Sequence, residues 1–279
     1  MTSVFSWFTA YNVKDMYLNR IVTVNFRSCK LLTYELRKDD PNIMIGINDC
    51  GKSTLLKSIG LLLDEKPSYN FQKEASSKKD FSNTPVSDEA LNELLAELSI
   101  PKLPYFGRET IILGAFSVEE DDLTNSDINS ASNQILWVLD NFDSKVIWYA
   151  RIFDSETGNV KSLLLTPDVY DVGDEPSQLY KLTDSKLQAK RKEKRLSDEE
   201  ISNSNQSGRY SKLEIVKALY NRTVTIPCWI DYKFEKNVFP TFKYLDWNSS
   251  FDNVLSTASE ALGSILNEFI GPLKQAANM

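Results

Sequence analysis

Three observations along this 279-residue chain predict an α/β fold. A short apolar segment, Asn42 to Ile45, runs straight into a glycine at Gly46, and apolar residues at helical spacing follow from Ser53 to Leu63. β-branched and apolar segments separated by turn residues fill 109–165 and read as an antiparallel meander. From about Ser177 the pattern turns helical and highly charged, so a helical C-terminal part is expected.

Taken in order, residues 1–18 read as an N-terminal extension whose Trp7, Phe8 and Tyr11 would dock on the rest of the chain or on a partner. Ile21 to Phe26 alternates and is β-branched, the mark of a strand, and Leu31 to Leu36 reads as its pairing strand. Residues 65–87 are rich in Ser, Lys and Asn and predict a surface loop. Ser87, Asp88, Glu89 and Ala90 begin a capped helix that reaches about Leu98. Strands are predicted at Glu109 to Val118, Gln134 to Leu139, Lys145 to Phe153 and Lys161 to Leu165, with turns at 141–143 and 155–158. The acidic stretch Glu119 to Ser132 lies between the first two. Val238 to Tyr244 reads as a short apolar strand or edge, and 251–276 as a last amphipathic helix. The domain plan is therefore an extension over 1–18, a core over 19–176 and a helical region over 177–279.

Composition narrows the chemistry. Hydrophobic content of 42% and charged content of 25% suit a globular protein with a real core. No apolar run approaches the length that spans a bilayer, and the first residues lack the pattern of a secretion signal, so no membrane partner is expected. Cys29, Cys50 and Cys228 are odd in number and far apart, which points to a reducing cytoplasm rather than a disulfide framework. Histidine is absent, which excludes Ser-His-Asp and Cys-His catalysis and His-ligated metals within the chain. Phosphoryl transfer needs only carboxylates, Lys, Ser or Thr, backbone amides and a bound metal. A net charge of −7 gives no general affinity for polyanions, although a local basic patch can still meet phosphates.

One motif supplies that chemistry. Gly46-Ile47-Asn48-Asp49-Cys50-Gly51-Lys52-Ser53 fits G-x-x-x-x-G-K-[ST] at every fixed position. The glycines let the backbone curl so that its N–H groups face phosphates. Lys52 reaches the β- and γ-phosphates as a point charge, and the Ser53 hydroxyl is offered to Mg²⁺. The helix beginning there, through Thr54, aims its positive end at the same anion. The expected ligands are ATP and Mg²⁺, in a P-loop NTPase fold. Lys52 and Ser53 are the candidate catalytic residues, and Gly46, Asn48, Asp49, Cys50, Gly51 and Thr54 complete the phosphate loop.

Two further features refine the type. The loop reads Gly-x-Asn-x-x-Gly-Lys-Ser-Thr, and Asn25-Phe26-Arg27-Ser28 lies upstream of it. This pairing resembles the ABC-type ATPase heads of the group that includes SMC proteins, RecF-like proteins and the OLD (overcoming lysogenization defect) family. In that group a first strand ends in a similar turn, a second strand returns, a third enters the phosphate loop, and Leu-Leu begins the helix, where Leu55 and Leu56 stand here. The resemblance implies that Arg27 approaches the nucleotide phosphates from the side; its plain alternative is an exposed Arg closing a hairpin. The meander matches the β-subdomain of such heads, and Phe239 to Leu245 looks like the segment before their central helical region. The resemblance also implies homodimers or higher oligomers through the heads, an effector or nuclease subunit, DNA as a partner, and work in phage defence or DNA repair. Asp49 and Cys50, in place of a more usual small pair, favour defence.

Two parts of such a head are missing. Ile135 to Asp140 has the apolar run of a Walker B strand, but Asn141 follows where Glu is required, so it is read as a β-subdomain strand. Leu196 to Glu200 has no signature glycine and reads as a helix cap, with Ser197 capping and Glu200 closing the box. The chain therefore reads as the first half of an ATPase head. No acidic triad of a Toprim nuclease is visible.

Other clusters take plainer readings. Lys190 to Arg195 places five basic residues in six around a helix, a solvated face before it is a DNA contact. Glu119 to Asp122 reads as a solvated turn, because adjacent carboxylates on a loop point apart. A rival function is a nucleotide-gated sensor or scaffold that holds an effector with little turnover. A metabolic P-loop kinase is disfavoured, because it would place helices between parallel strands.

Overall fold

The computed structural model describes residues 6–8, 16–38, 42–44, 51–67, 80–82, 84–118, 132–141, 146–169, 176–198, 201, 209–220 and 225–242. The strands are β1 (Ser6–Phe8), β2 (Met16–Phe26), β3 (Cys29–Glu35), β4 (Asn42–Met44), β5 (Glu109–Val118), β6 (Val146–Asp154), β7 (Val160–Asp168) and β8 (Ile226–Asp231). The helices are α1 (Lys52–Leu63), α2 (Asp88–Glu97), α3 (Asn133–Asn141), α4 (Asp184–Glu193) and α5 (Arg209–Tyr220), with a 3₁₀ turn at Leu179–Lys181.

Six strands form one antiparallel sheet in the order β3-β2-β5-β6-β7-β8. Strand β5 is buried at nearly every position, because both faces of the sheet are covered. Alternation sends its side chains to opposite sides. Ile112 and Phe116 join the larger core with Leu55, Ile59 and Leu62 of α1. Ile111 and Leu113 join the smaller core with Val22, Val24 and Leu91 and Leu95 of α2. Helix α2 starts where its cap requires, with Ser87 accepting from the Ala90 N–H at 3.3 Å.

The meander over β5, β6 and β7 follows the predicted pattern. The β6–β7 turn is shaped by Asp154, whose Oδ1 accepts from the N–H groups of Glu156 at 2.8 Å and Thr157 at 2.9 Å. Gly158 closes the turn at φ 73°. Those hydrogen bonds, the Thr157 N–H first, also hold the Asp154 carboxyl below its ordinary pKa.

The structure corrects two predicted strands. Gln134 to Leu139 lies inside helix α3, so Asp140 belongs to a helix and neither the β-subdomain strand nor a Walker B strand exists there. The segment is apolar all round, and Ile135, Leu136, Trp137, Val138 and Leu139 are all buried. A run of that length has no periodicity to separate a buried helix from a buried strand. The second correction concerns Val238 to Tyr244, of which 238–242 are described and none is a strand. Val238 and Phe239 are buried in a turn closed by their N–H groups on the Glu235 carbonyl, at 2.9 and 3.3 Å. Pro240 has no N–H to give a ladder. Strand β8 was not predicted; it pairs with β7 at the sheet edge, where Pro227 is tolerated.

The strand that leads into the phosphate loop has its own partner. Strand β4 pairs antiparallel with β1, with Trp7 opposite Ile43, in a two-stranded sheet apart from the main one. The predicted helix at 251–276 lies outside the described residues.

Helix α1 seats on β5 through a gap left by Gly114. A Cβ there would stand 2.5 Å from Leu62 Cδ2, 2.8 Å from Phe116 Cε2 and 3.0 Å from Leu18 Cδ1. Gly114→Val is therefore expected to destabilise the fold by about 3 kcal/mol, since overpacking forces side chains off their rotamers or moves the helix. Urea unfolding checks this, and a loss below about 0.5 kcal/mol would show that α1 does not sit against β5 in this way.

Candidate functional site

The site is assembled where the N-terminus of α1 meets the β2–β3 hairpin. Gly51 immediately precedes α1 and has φ 94°, a left-handed conformation that favours glycine. It is also pressed by the hairpin: a Cβ on Gly51 would stand 3.2 Å from Cys29 Sγ. Both constraints select glycine at the second fixed position of the motif.

Helix α1 has no side-chain cap and no acidic residue in its first turn. The Leu55 N–H already bonds the Gly51 carbonyl at 3.0 Å, which leaves the N–H groups before it as the first-turn donors. This is the arrangement that receives an anion at a helix N-terminus. Lys52 is half-buried, Ser53 is exposed, and Thr54 is buried, so Thr54 offers its backbone N–H rather than its hydroxyl. The helix is tied to β2 by Ser58, whose Oγ accepts from Thr23 Oγ1 at 3.0 Å and donates to the Leu55 carbonyl at 2.7 Å. Gly46, Asn48, Asp49 and Cys50 lie outside the described residues.

The hairpin is held in an unusual backbone. Asn25 and Arg27 both have positive φ, 52° and 55°. Such conformations cost about 1 kcal/mol or more and persist only where surroundings enforce them. Asn25 is fully buried and supplies that enforcement. Its Nδ2 donates to Tyr105 Oη at 2.8 Å and to the Glu109 carbonyl at 3.1 Å, and its Oδ1 accepts from the Val86 N–H at 2.7 Å. Its carbonyl accepts from Thr110 Oγ1 at 2.8 Å.

Arg27 is not the free arginine of a solvent-exposed hairpin. Its N–H donates to the Asp80 carbonyl at 2.7 Å and its Nε to Asp80 Oδ1 at 2.9 Å. The guanidinium also lies 5.5 Å from the centre of the Phe26 ring. Asp80 is buried, and sequence reasoning missed it by assigning 65–87 to a surface loop. Nothing local marks it, because its partner is 53 residues away. Two residues past Arg27, Cys29 Sγ stands 3.2 Å from where a Cβ on Gly51 would lie, which sets the β2–β3 hairpin beside the start of α1.

The other candidates separate. The basic run ends α4, with Lys190, Arg191 and Lys192 in its last turn, where cations complement the helix dipole. Arg191 pairs with Asp198, and Lys192, Lys194 and Arg195 are exposed. Glu119 to Asp122 and Glu200 lie outside the described residues. No group of three or more Cys, Asp or Glu side chains set to hold a metal occurs among the described residues. Cys29 and Cys228 are free thiols, and no described helix is long and apolar enough to cross a membrane.

A strand, a glycine loop with G-K-S and an uncapped helix against a hairpin define a P-loop nucleotide-binding protein. The chain belongs to the AAA ATPase domain family, whose model matches residues 16–279. It is an ATPase domain, and membership implies a bound nucleotide. No curated protein matches it.

Proposed function

We propose that the chain is an ABC-type head of the OLD/SMC-like group, which binds ATP with Mg²⁺ and uses it to close a homodimer or higher oligomer of heads. The observation that carries this reading is the close approach of Cys29 Sγ to Gly51, which puts the hairpin bearing Asn25-Phe26-Arg27-Ser28 beside the start of α1. In this reading Lys52 grips the β- and γ-phosphates and Ser53 ligates Mg²⁺, which supplies charge neutralisation at the transferred phosphoryl group. In the same reading Asp80 fixes Arg27 through its Nε, and the Nη atoms would serve the phosphates. The signature and the water-activating carboxylate come from outside the described residues or from another chain. Closure then controls a nuclease or DNA clamp, in phage defence or DNA repair, in a reducing cytoplasm. An ATP-gated sensor that holds an effector with little turnover is the second reading, favoured by the lack of a Walker B strand at 135–140.

Size-exclusion chromatography with light scattering tests closure. ATP with Mg²⁺ is expected to shift the mass at least twofold at micromolar protein, while ADP or ATP with chelator leaves it unchanged. An unchanged mass under all three conditions overturns the head-closure reading. A shift without phosphate release over many hours selects the sensor.

A further inference from the structure

Away from the phosphate loop the structure contains a cationic basin on a chain whose net charge is −7. The cavity measures about 1430 Å³, and Glu65, Lys66 and Pro67, just past the end of α1, form part of its wall. Helix α1 has 12 residues and is therefore about 18 Å long, so this basin and Lys52 lie at opposite ends of it.

Six cations line the cavity, namely Lys66, Arg151, Lys161, Lys181, Lys212 and Lys233. Four carboxylates face them, and three are engaged. Asp231 takes Lys161 at 3.5 Å, Asp184 takes Lys212 at 3.4 Å, and Glu235 accepts from Tyr232 Oη and the Ser132 N–H, both at 2.8 Å. The fourth is Glu65. Lys181 Nζ donates to the Asp231 carbonyl at 2.7 Å.

Arg151 is the unusual member. It is 2% exposed, yet among the described residues no carboxylate pairs with it. Its partners are neutral: Nε donates to Tyr149 Oη at 2.7 Å and Nη1 to the Leu61 carbonyl at 2.6 Å. The guanidinium also packs 4.8 Å from the Phe234 ring centre. Capping the last turn of α1 explains the Leu61 bond. It does not explain Nη2, which no hydrogen bond among the described residues uses, on a side chain that lines the cavity. A buried cation without a counter-charge is costly, and an anion removes that cost. One more lining group that can donate lacks a partner: Ser132 Oγ is buried with no hydrogen bond.

We propose that this basin is a second anion site, which takes the terminal phosphate monoester of a nucleotide-sized ligand. Arg151, the most buried of the six cations, would offer Nη2, and Lys66 and Lys233 are exposed. A guanidinium presents parallel N–H groups that match phosphate oxygens. The depth of Arg151 selects a terminal phosphate, because a phosphodiester within a strand stays at the surface and meets only exposed lysines. The volume exceeds the roughly 300–1,000 Å³ of ordinary small-ligand pockets, so inorganic phosphate alone would leave it largely empty. The phosphate can come from a free nucleotide or from the 5′ end of a strand.

Equilibrium dialysis on the full chain carrying Lys52→Ala, which silences the phosphate loop, tests this with thymidine 5′-monophosphate, thymidine, and a thymidine pentanucleotide with and without a 5′-phosphate. Binding is expected for the phosphorylated probes only. Saturation by the mononucleotide assigns a free nucleotide, and saturation by the 5′-phosphorylated strand alone assigns a strand end. The pair Lys66→Glu and Lys233→Glu, both exposed and away from the core, should weaken binding at least tenfold. Arg151→Lys, which keeps the charge and loses the fork, should do the same. In the chain with Lys52 intact, the Lys66→Glu, Lys233→Glu pair should leave ATP affinity unchanged. No binding of any probe at about 10 mM overturns the proposal. Equal binding of 5′-hydroxyl and 5′-phosphorylated strands, or affinity indifferent to the Lys66 and Lys233 changes, overturns it as well.

Discussion

Lys52→Ala is expected to weaken ATP binding at least about 100-fold, or about 2.7 kcal/mol, without unfolding the domain. The size follows from what Lys52 faces. The first turn of α1 has no capping side chain and no carboxylate, so phosphates bound there would meet only backbone N–H groups and this ammonium. Hydrogen bonds to a charged group contribute about 1.5–3 kcal/mol, and in the proposed role Lys52 reaches two phosphates. Stability should hold, because Lys52 is only half-buried and belongs to neither core cluster. The melting temperature should move by no more than about 2 °C. Calorimetric titration with ATP and Mg²⁺, paired with thermal unfolding, separates the two effects. Unchanged affinity in a folded variant would remove the phosphate loop from the nucleotide site. A weakened affinity that tracks a fall in stability would mean that Lys52 acts through the fold.

The readability of that site reflects how local it is. Gly46 to Thr54 is one continuous segment, and the strand before it and the helix after it are set by neighbours in sequence. The hairpin before it was readable for the same reason, through alternation in β2 and the turn at Asn25 to Ser28. What could not be read is what reaches the site from elsewhere. Asp80 belongs to a Ser- and Lys-rich stretch that resembles solvent-facing loop, yet it is buried because Arg27 folds back on it. Asn25 looked like a turn residue, whereas its amide joins Val86, Tyr105 and Glu109, which are 61, 80 and 84 residues away. Strand β8 went unread because Pro227 lowers the strand signal, and only the β7 edge makes it a strand. Arg151 sat in a predicted strand with no hint that its charge would be buried against the end of α1.

Trp137→Ala is expected to cost about 4 kcal/mol, the largest stability loss of any single change argued from this fold. Trp137 is fully buried on α3, within the apolar run whose helical state the sequence concealed. Its ring lies 6.3 Å from that of Tyr180, nearly parallel to it, and 4.7 Å from that of Tyr220. Its Nε1–H donates to the Pro167 carbonyl at 2.7 Å, which ties α3 to β7. Truncation removes the ring contacts, opens a cavity and leaves that carbonyl without its donor, so the transfer, cavity and hydrogen-bond losses add. Trp137→Phe separates them. It keeps most of the ring volume and loses the N–H, for an expected cost of about 1–2 kcal/mol. Urea unfolding of the three proteins checks both values. A cost below about 1.5 kcal/mol for the alanine variant would place Trp137 outside a packed core. Near-equal costs for alanine and phenylalanine would assign the effect to the Pro167 bond rather than to packing. In the folded fraction of either variant ATP affinity should persist, because α3 packs on β6 and β7, whereas Gly51, Lys52 and the Arg27 hairpin are held by α1, β2 and β3. A fall in affinity beyond the loss of folded protein would instead show that α3 couples to the phosphate loop across the sheet.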